Sequence, residues 1–219
     1  MTRSEEFSAE EREAIYRVIA SRRDVRRDFR ADEVPDDVLL RVLDAAHRAP
    51  SVGLSQPWRF IVVRDPSTRD AVHAAFTAAN ERAAERYAGE QAAAYRALRL
   101  EGIRSAPVNL CVVCDDRPAR GHGLGRQTMP EMVRYSTVCA VQNLWLAARA
   151  EGLGVGWVSI IEPDALRAIL AIPAEIAVVA YLCIGYVDRF AAEPDLVTAG
   201  WESALPLADV VDRERYGAG

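Results

Sequence analysis

The spacing of apolar and polar positions predicts helices and strands over most of the chain. Ser8 and Glu11 form a capping-box pattern in front of a segment with one apolar side, which predicts a helix start. Apolar residues that recur every three or four positions predict further helices, and short runs rich in β-branched residues predict strands. The predicted helices are 8–21, 35–48, 68–104 with a break near Gly89, 136–150 and 163–170, and the predicted strands are 59–64, 108–114, 153–161 and 176–187.

The most apolar predicted helix, 136–150, is followed directly by a glycine-rich strand. The helix carries no charge before Arg149 and is apolar on nearly every side, so we expect it to be buried. Gly152, Gly154 and Gly156 then alternate, and in a strand they would share one face without side chains. A flat group, either a backbone or a ring, could lie close against that face. Tight packing of a helix on the strand is the alternative interpretation.

Composition narrows the class of protein. Half of the 219 residues are hydrophobic and 27% are charged, as in an ordinary globular domain, so we predict a single domain spanning 1–219. The formal net charge of −5 argues against a nucleic-acid partner. The N-terminal segment is charged and no run is long enough to span a bilayer, so we expect no membrane association and a cytoplasmic location.

Cysteines and histidines do not predict a metal site. Cys111 and Cys114 have the spacing of a redox pair, but they lie in a predicted strand, where positions three apart face opposite sides. A redox pair usually opens a helix, so buried reduced thiols are the favoured interpretation and a redox pair is the alternative. The three histidines are scattered without ligand spacing, and no metal is predicted.

Four arginines follow the first predicted helix within six residues. They are either a solvated charge cluster or a phosphate clamp, because guanidinium groups match phosphate oxygens. The polar segment about 77–104 is predicted to be a helical lid or an arm that reaches a second subunit, with a plain surface helix pair as the alternative. The glycines of loop 115–130 open no helix and fit no dinucleotide or phosphate-loop motif. Residues 190–219 form a predicted C-terminal extension.

Several motifs together resemble the FMN-dependent nitroreductase superfamily and, within it, the BluB family of 5,6-dimethylbenzimidazole synthases, or flavin destructases. The resemblance covers nearly the whole chain, and no single motif carries it alone. The motifs are R-R-D-V-R at 22–26, A-P-S-V-G at 49–53, Q-P-W at 56–58, L-E-G-I-R at 100–104, Y-S-T-V-C-A-V-Q-N-L-W at 135–145, G-V-G-W-V-S at 154–159 and an arginine at 189 after the last strand.

The resemblance implies a fold and a reaction. The fold is α+β, with a mixed central sheet flanked by helices in an intertwined homodimer that binds FMN between its subunits. The reaction is the O₂-dependent fragmentation of reduced FMN to 5,6-dimethylbenzimidazole, the lower ligand of vitamin B12, and erythrose 4-phosphate. FMN is then a substrate, and a separate flavin reductase must supply it in reduced form.

The resemblance also implies roles for individual residues. Asp24 and Ser159 are the candidate catalytic residues, a general base and a hydroxyl beside the flavin ring. From the residues alone, a salt-bridged aspartate and an ordinary strand serine are the alternatives. Leu100 is expected to contribute from the lid side. The full set of candidate flavin-binding residues is Arg22, Arg23, Asp24, Val25, Arg26, Ser51, Gly53, Leu100, Ser159 and Arg189.

Two other functions remain open from the sequence. One is an NAD(P)H-dependent FMN nitroreductase or a dehalogenase-like oxidoreductase, against which Asp24 and the polar lid segment argue. The other is a non-catalytic FMN-binding protein, which would share most of the same site.

Overall fold

A four-stranded sheet forms the centre of the protein in the computed structural model, which describes residues 6–117 and 120–217. The start of the charged N-terminal segment, two positions of the predicted 115–130 loop and the end of the predicted extension lie outside the described residues. The strands are β1 (Trp58–Val63), β2 (Val108–Cys114), β3 (Leu153–Val158) and β4 (Ala177–Tyr186), in the order β1-β2-β4-β3.

The α+β class is confirmed. A mixed sheet was expected, but parallel pairing is limited to one residue pair among the described residues. All three ladders between the four strands are antiparallel. The parallel pairing among the described residues is a single bridge between Asp24 and Val155, at the outer edge of β3. The arginine-rich segment therefore borders the sheet, and it pairs with β3 over too short a length to form a fifth strand.

Helices cover both faces of the sheet. On one face, α2 (Asp36–His47) and α5 (Met132–Ala150) pack in a core that includes Val42, Leu144 and Leu182. On the other face, α3 (Pro66–Ala84) and α6 (Pro163–Leu170) pack in a second core. Alternate residues of β2 and β4 point into the two cores, as the period of a strand requires.

The expectation that helix 136–150 is buried is only partly right. Eight side chains of α5 are buried, but Tyr135 and Val138 are exposed on one face, together with Cys139. Helix α1 (Ala9–Ser21) has no buried residue at all, although its capping box is formed as predicted. The large exposed apolar residues of α1 are Ile15, Tyr16 and Ile19.

The predicted break in the long helical segment lies at the expected place. Helix α3 ends at Ala84, and α4 (Gly89–Ala97) begins at Gly89, whose φ of +56° suits a glycine. The chain after β4 continues through a short helix, α7 (Asp195–Thr198), and returns to α4, where Trp201 contacts Tyr95. These elements correspond to the predicted lid and to the predicted C-terminal extension.

Candidate functional site

The arginine-rich segment is fixed to the edge of β3 by its backbone. Arg22 is the C-terminal cap of α1. The backbone N–H of Val25 then donates to the Val155 carbonyl at 2.9 Å. From the other side, the Trp145 indole N–H of α5 donates to the Arg23 carbonyl at 3.1 Å. Residues 22–26 are therefore held between the central helix and the glycine-rich strand, which makes their side-chain positions well defined.

Gly156 leaves the space that this segment needs. A Cβ atom at Gly156 would overlap the carbonyl oxygen of Val25 and lie 3.1 Å from its carbonyl carbon. A Cβ at Gly154 would meet side-chain methyl groups of Val187 and Val25 instead. The sequence left open whether a backbone or a ring lies against the glycine face, and within this chain the backbone of Val25 lies against Gly156. Gly152 lies before β3 and faces open space.

The carboxylate of Asp24 has one partner for each oxygen. Its Oδ1 accepts a hydrogen bond from the backbone N–H of Trp157 at 3.0 Å, and its Oδ2 is paired with the guanidinium of Arg26. The Asp24 side chain is 30% exposed and that of Arg26 is 16% exposed, so the pair is shielded but reachable. A carboxylate held in this way is positioned to accept a proton from a molecule in the adjoining pocket.

That pocket, which we call the arginine pocket, has a volume of about 210 Å³ and is lined by residues 23–28, 189–192 and 195. It brings together five of the predicted site residues, namely Arg23, Asp24, Val25, Arg26 and Arg189. Four arginines and three aspartates line it, so cationic groups are in excess. The pocket is therefore suited to an anionic ligand such as a phosphate.

Two guanidinium groups in the arginine pocket retain unpaired donors. The Nε atoms of Arg23 and Arg26 are buried and have no hydrogen-bond partner among residues 6–117 and 120–217. A buried donor without a partner costs free energy comparable to a lost hydrogen bond, and in a native site it points to a ligand or a water. FMN offers a dianionic phosphate and carbonyl and nitrogen acceptors on its ring, so these residues fit the cofactor implied by the sequence.

Three other predicted residues lie close to this pocket but do not line it. The guanidinium of Arg22 lies over the Trp145 ring, 4.9 Å from the ring centroid. Leu100 lines a separate cavity of about 340 Å³ beneath α3 and α4, next to Arg99, whose carbonyl accepts from Arg26 Nη1 at 3.4 Å. Ser159 is exposed, directly after the end of β3 and two residues beyond Trp157.

The loop with Ser51 and Gly53 is structured by other parts of the same chain. Ser51 Oγ accepts from the backbone N–H of Gln56 at 3.1 Å. The backbone N–H of Val52 donates to Ser136 Oγ of α5 at 3.0 Å. Gly53 has a φ of +57°, and a Cβ there would lie 2.9 Å from the carbonyl oxygen of Gly121. In this protomer its lack of a side chain therefore accommodates a second loop, and Ser51 and Gly53 do not line the arginine pocket.

Cys111 and Cys114 behave as buried thiols. Cys111 and Cys114 are buried in β2, and no disulfide forms among the described cysteines. Burial raises the pKa of the Cys111 thiol to about 12. Burial also raises the pKa of Cys114, where a hydrogen bond with Thr137 opposes it. Raised pKa values suppress the reactive thiolate form, which agrees with the favoured interpretation from the sequence.

Some residues of the arginine pocket were not predicted from the sequence. Arg27 belongs to the same arginine run but was not selected, and its Nη2 lies 3.4 Å from Asp195 Oδ1. The carbonyl of Ala192 accepts from Arg23. The charge pattern of the run could have indicated Arg27, but no local signal links it to residues almost 170 positions later.

The described residues contain neither a metal-binding cluster nor a membrane-spanning helix. In residues 6–117 and 120–217, no three His, Cys, Asp or Glu side chains come together as a metal-binding group. Across the same residues, the helices are too short or too polar to cross a membrane.

The chain is similar to known proteins over almost its full length. The model of the nitroreductase family matches residues 19–186. A 5,6-dimethylbenzimidazole synthase of Rhodospirillum rubrum is 47% identical over 200 residues, covering 91% of this chain and 94% of that protein. One of Rhodobacter capsulatus is 46% identical, covering 91% and 96%. A putative nitroreductase of Desulfovibrio desulfuricans, solved in complex with FMN, superposes with a TM-score of 0.64 at 26% identity, covering 92% of this chain and 97% of that one.

Proposed function

We propose that this chain, which belongs to the nitroreductase family and within it to the family of 5,6-dimethylbenzimidazole synthases, fragments reduced FMN with O₂. The products include 5,6-dimethylbenzimidazole and erythrose 4-phosphate, the remaining four ring carbons leave as a separate fragment, and FMN is the substrate. The observation that carries the proposal is the carboxylate of Asp24, held by Trp157 and Arg26 at the wall of a pocket rich in arginine. An enzyme that only passes hydride through FMN has no evident need for a base at that position.

The arginine pocket binds the anionic part of the flavin. Arg23 and Arg26 have buried Nε donors ready for acceptors, and Arg189 lines the same pocket. Guanidinium groups bind phosphate through two parallel hydrogen bonds, so the cluster sets orientation as well as affinity. Val25 forms part of the pocket wall. Arg22 contributes from the rim, where its stacking on Trp145 fixes the guanidinium.

Asp24 and Ser159 carry the chemical step. The reaction needs proton transfers near the ribityl carbon next to the ring, and Asp24 accepts a proton there as the general base. Ser159 presents its hydroxyl as a hydrogen-bond donor beside the ring. Loss of a positioned general base costs about 10²–10⁴ in rate, so Asp24→Asn should bind reduced FMN and yet release it largely intact after oxidation.

The complete site requires a second copy of the chain. Ser51 and Gly53 lie outside the arginine pocket of their own protomer, and α1 and α5 expose apolar side chains such as Ile19 and Val138. Obligate homodimer interfaces are large and hydrophobic, which these two helices can supply. In the proposed dimer the loop of Ser51 and Gly53 and the lid residue Leu100 complete the site around the flavin.

Reduced FMN must come from a separate protein. We propose a cytoplasmic flavin reductase as that partner, because a lid that closes over the flavin leaves no open face for a nicotinamide. The lid, residues 77–104, closes the site while the flavin is consumed.

The test is an aerobic incubation of the purified protein with FMN, NADH and an independent flavin reductase, followed by mass analysis of small molecules. The proposal expects dimethylbenzimidazole only when the reductase is present. Rapid bleaching of FMN by NADH and this protein alone would support an NAD(P)H-dependent nitroreductase or dehalogenase-like enzyme. Quantitative recovery of intact FMN would support a non-catalytic flavin-binding protein.

A further inference from the structure

The segment that follows β4, residues 190–201, contacts the arginine pocket at one end and the lid helix α4 at the other. We call this segment the C-terminal strap. It contains one short helix, α7, and has little regular structure otherwise. The strap makes its contacts through side chains and carbonyl groups, so its position affects both the arginine pocket and helix α4.

At the pocket end, the strap fixes two arginines. The carbonyl of Ala192 accepts a hydrogen bond from Arg23 Nη2. The carboxylate of Asp195, whose side chain is mostly buried, pairs with Arg27 at 3.4 Å. Residues 190–192 and 195 also form part of the pocket wall. The direction of the Arg23 guanidinium therefore depends on the strap as well as on the arginine segment itself.

At the lid end, Trp201 completes a cluster of three aromatic rings. Tyr87 and Tyr95 stack with their centroids 4.6 Å apart, and Trp201 lies edge-on to Tyr87 at 5.4 Å and tilted to Tyr95 at 6.1 Å. The Tyr95 hydroxyl donates to Asn80 of α3 at 2.7 Å. Offset and edge-to-face ring pairs of this kind are attractive beyond their buried area.

Helix α4 has few other anchors. Besides Tyr95, Ala92 is its only buried residue, and no side chain caps its N-terminus. A short helix with so little apolar burial is not stable by itself and depends on tertiary contacts. The aromatic cluster is therefore the main contact that holds α4 in place, and Trp201 supplies the part of it that comes from outside the lid.

We propose that the C-terminal strap couples the lid to the arginine pocket, with Trp201 as a positioning residue for α4. When the strap is docked, Trp201 holds α4 against α3 while the Ala192 carbonyl fixes the Arg23 guanidinium at the pocket. When Trp201 is undocked, α4 loosens and the bound flavin leaves faster. The effect on flavin release rests on the proposed function, whereas the effect on α4 does not.

The first test measures hydrogen exchange in the full-length protein without flavin. Trp201→Ala should raise the exchange rate of amides in α4 by about tenfold, because local opening becomes easier when a packing contact is lost. Leu205→Ala is the matched control, since Leu205 is a tail residue that is 72% exposed, and it should leave α4 unchanged. Trp201→Phe keeps an aromatic ring and should restore most of the protection.

The second test measures the rate at which FMN dissociates, by stopped-flow fluorescence. Trp201→Ala should release FMN about tenfold faster with little change in the association rate, because most interface changes act on dissociation. If Trp201→Ala unfolds the chain, Tyr87→Ala removes one of the two Trp201 ring contacts from the lid side and should give the same two effects in the same direction.

Unchanged exchange in α4 for both Trp201→Ala and Tyr87→Ala would overturn the proposal. Faster exchange in α4 with unchanged FMN dissociation would overturn the coupling to the pocket. Failure of the wild-type protein to bind FMN would refute the proposed function instead, and the exchange experiment would still decide whether the strap anchors the lid.

Discussion

Substituting alanine for Gly156 tests how the structure positions Asp24. The added Cβ would overlap the Val25 carbonyl oxygen and lie 3.1 Å from its carbonyl carbon. Unbonded carbons pack at about 3.5–4.0 Å, so the backbone at Val25 must move by about 1 Å. The added Cβ would meet backbone atoms, and the segment to which they belong is hydrogen-bonded on both sides. This backbone cannot shift as easily as a side chain can.

The expected magnitude follows from the two hydrogen bonds that such a shift breaks. Val25 N–H to the Val155 carbonyl is 2.9 Å, and Trp157 N–H to the Asp24 carboxylate is 3.0 Å. A neutral hydrogen bond is worth about 0.5–1.5 kcal/mol and one to a charged group about 1.5–3 kcal/mol, so we expect a loss of about 2–4 kcal/mol in unfolding free energy. For a chain of this length that lowers the melting temperature by about 5–15 °C.

The effect on activity should exceed the effect on stability. A displacement of about 1 Å at a catalytic group can cost about 10²-fold in rate. We expect Gly156→Ala to fold at 25 °C, to bind reduced FMN and to form dimethylbenzimidazole at about a hundredth of the wild-type rate. The assays are thermal unfolding and product formation with saturating reduced FMN.

Gly154→Ala is the matched control, because it lies on the same face of the same strand. A Cβ at Gly154 would meet methyl groups of Val187 and Val25, the nearest at 2.6 Å, and these side chains can shift. Its cost should fall in the range of ordinary overpacking, about 1–3 kcal/mol, with a smaller loss of rate. If Gly156→Ala has the melting temperature and the product-formation rate of the wild type, the backbone of Val25 does not lie against Gly156.

Three further predictions concern binding, pH and assembly. Arg23→Ala should weaken FMN binding by about ten- to a hundredfold, because one charged hydrogen bond is lost. Arg30 is exposed, so Arg30→Ala should leave the affinity unchanged. Equal affinities of Arg23→Ala and the wild type in a fluorescence titration would contradict the assignment of Arg23. Hydrogen bonds from the first turn of α3 lower the pKa of Asp65 from 3.8 to about 2. The stabilising effect of the Asp65 carboxylate is therefore complete above pH 4 and is lost as the pH falls towards 2. Asp65→Asn should make the unfolding free energy less dependent on pH in that range, and an unchanged dependence in chemical unfolding would refute this prediction. Cys139 lies on the exposed face of α5. It should react slowly with a thiol reagent in the proposed dimer but rapidly in a monomeric Val138→Glu variant. Rapid reaction in the wild type, with a monomer by light scattering, would exclude an α5 interface.

Much of the fold could be predicted from the sequence because local pattern and burial agree. Strand 108–114 and helix 163–170 have the predicted limits, since proline and charged residues bound them. The capping box of Ser8 and Glu11 is formed as predicted, and so is the break before Gly89. The resemblance to the nitroreductase family and to its 5,6-dimethylbenzimidazole synthases is confirmed by the comparisons.

Other features depend on contacts that no local pattern contains. The apolar character of α5 predicted burial, but it could not tell whether its own chain or a second copy covers the face of Val138. Spacing of glycines indicated a close approach to β3, and only the fold identified the Val25 backbone as the approaching group. The pairing of Arg27 with Asp195 joins distant parts of the chain, so the strap was predicted only as an extension.

The roles of the individual site residues remain predictions. The fold brings five of the ten candidates into one pocket, and it separates Ser51 and Gly53 from them within a protomer. That separation agrees with a site shared between two copies, which the sequence motifs implied but could not demonstrate, because spacing along a chain does not report which copy contributes a residue.

The central claim is tested most directly by a single aerobic turnover with reduced FMN at the concentration of the protein. The measured quantity is the amount of dimethylbenzimidazole formed relative to the FMN consumed, in the wild type and in Asp24→Asn. The proposed function predicts that the wild type converts FMN to dimethylbenzimidazole and an equal amount of erythrose 4-phosphate, while Asp24→Asn returns oxidised FMN. Full recovery of FMN from the wild type, or an undiminished yield from Asp24→Asn, would contradict it.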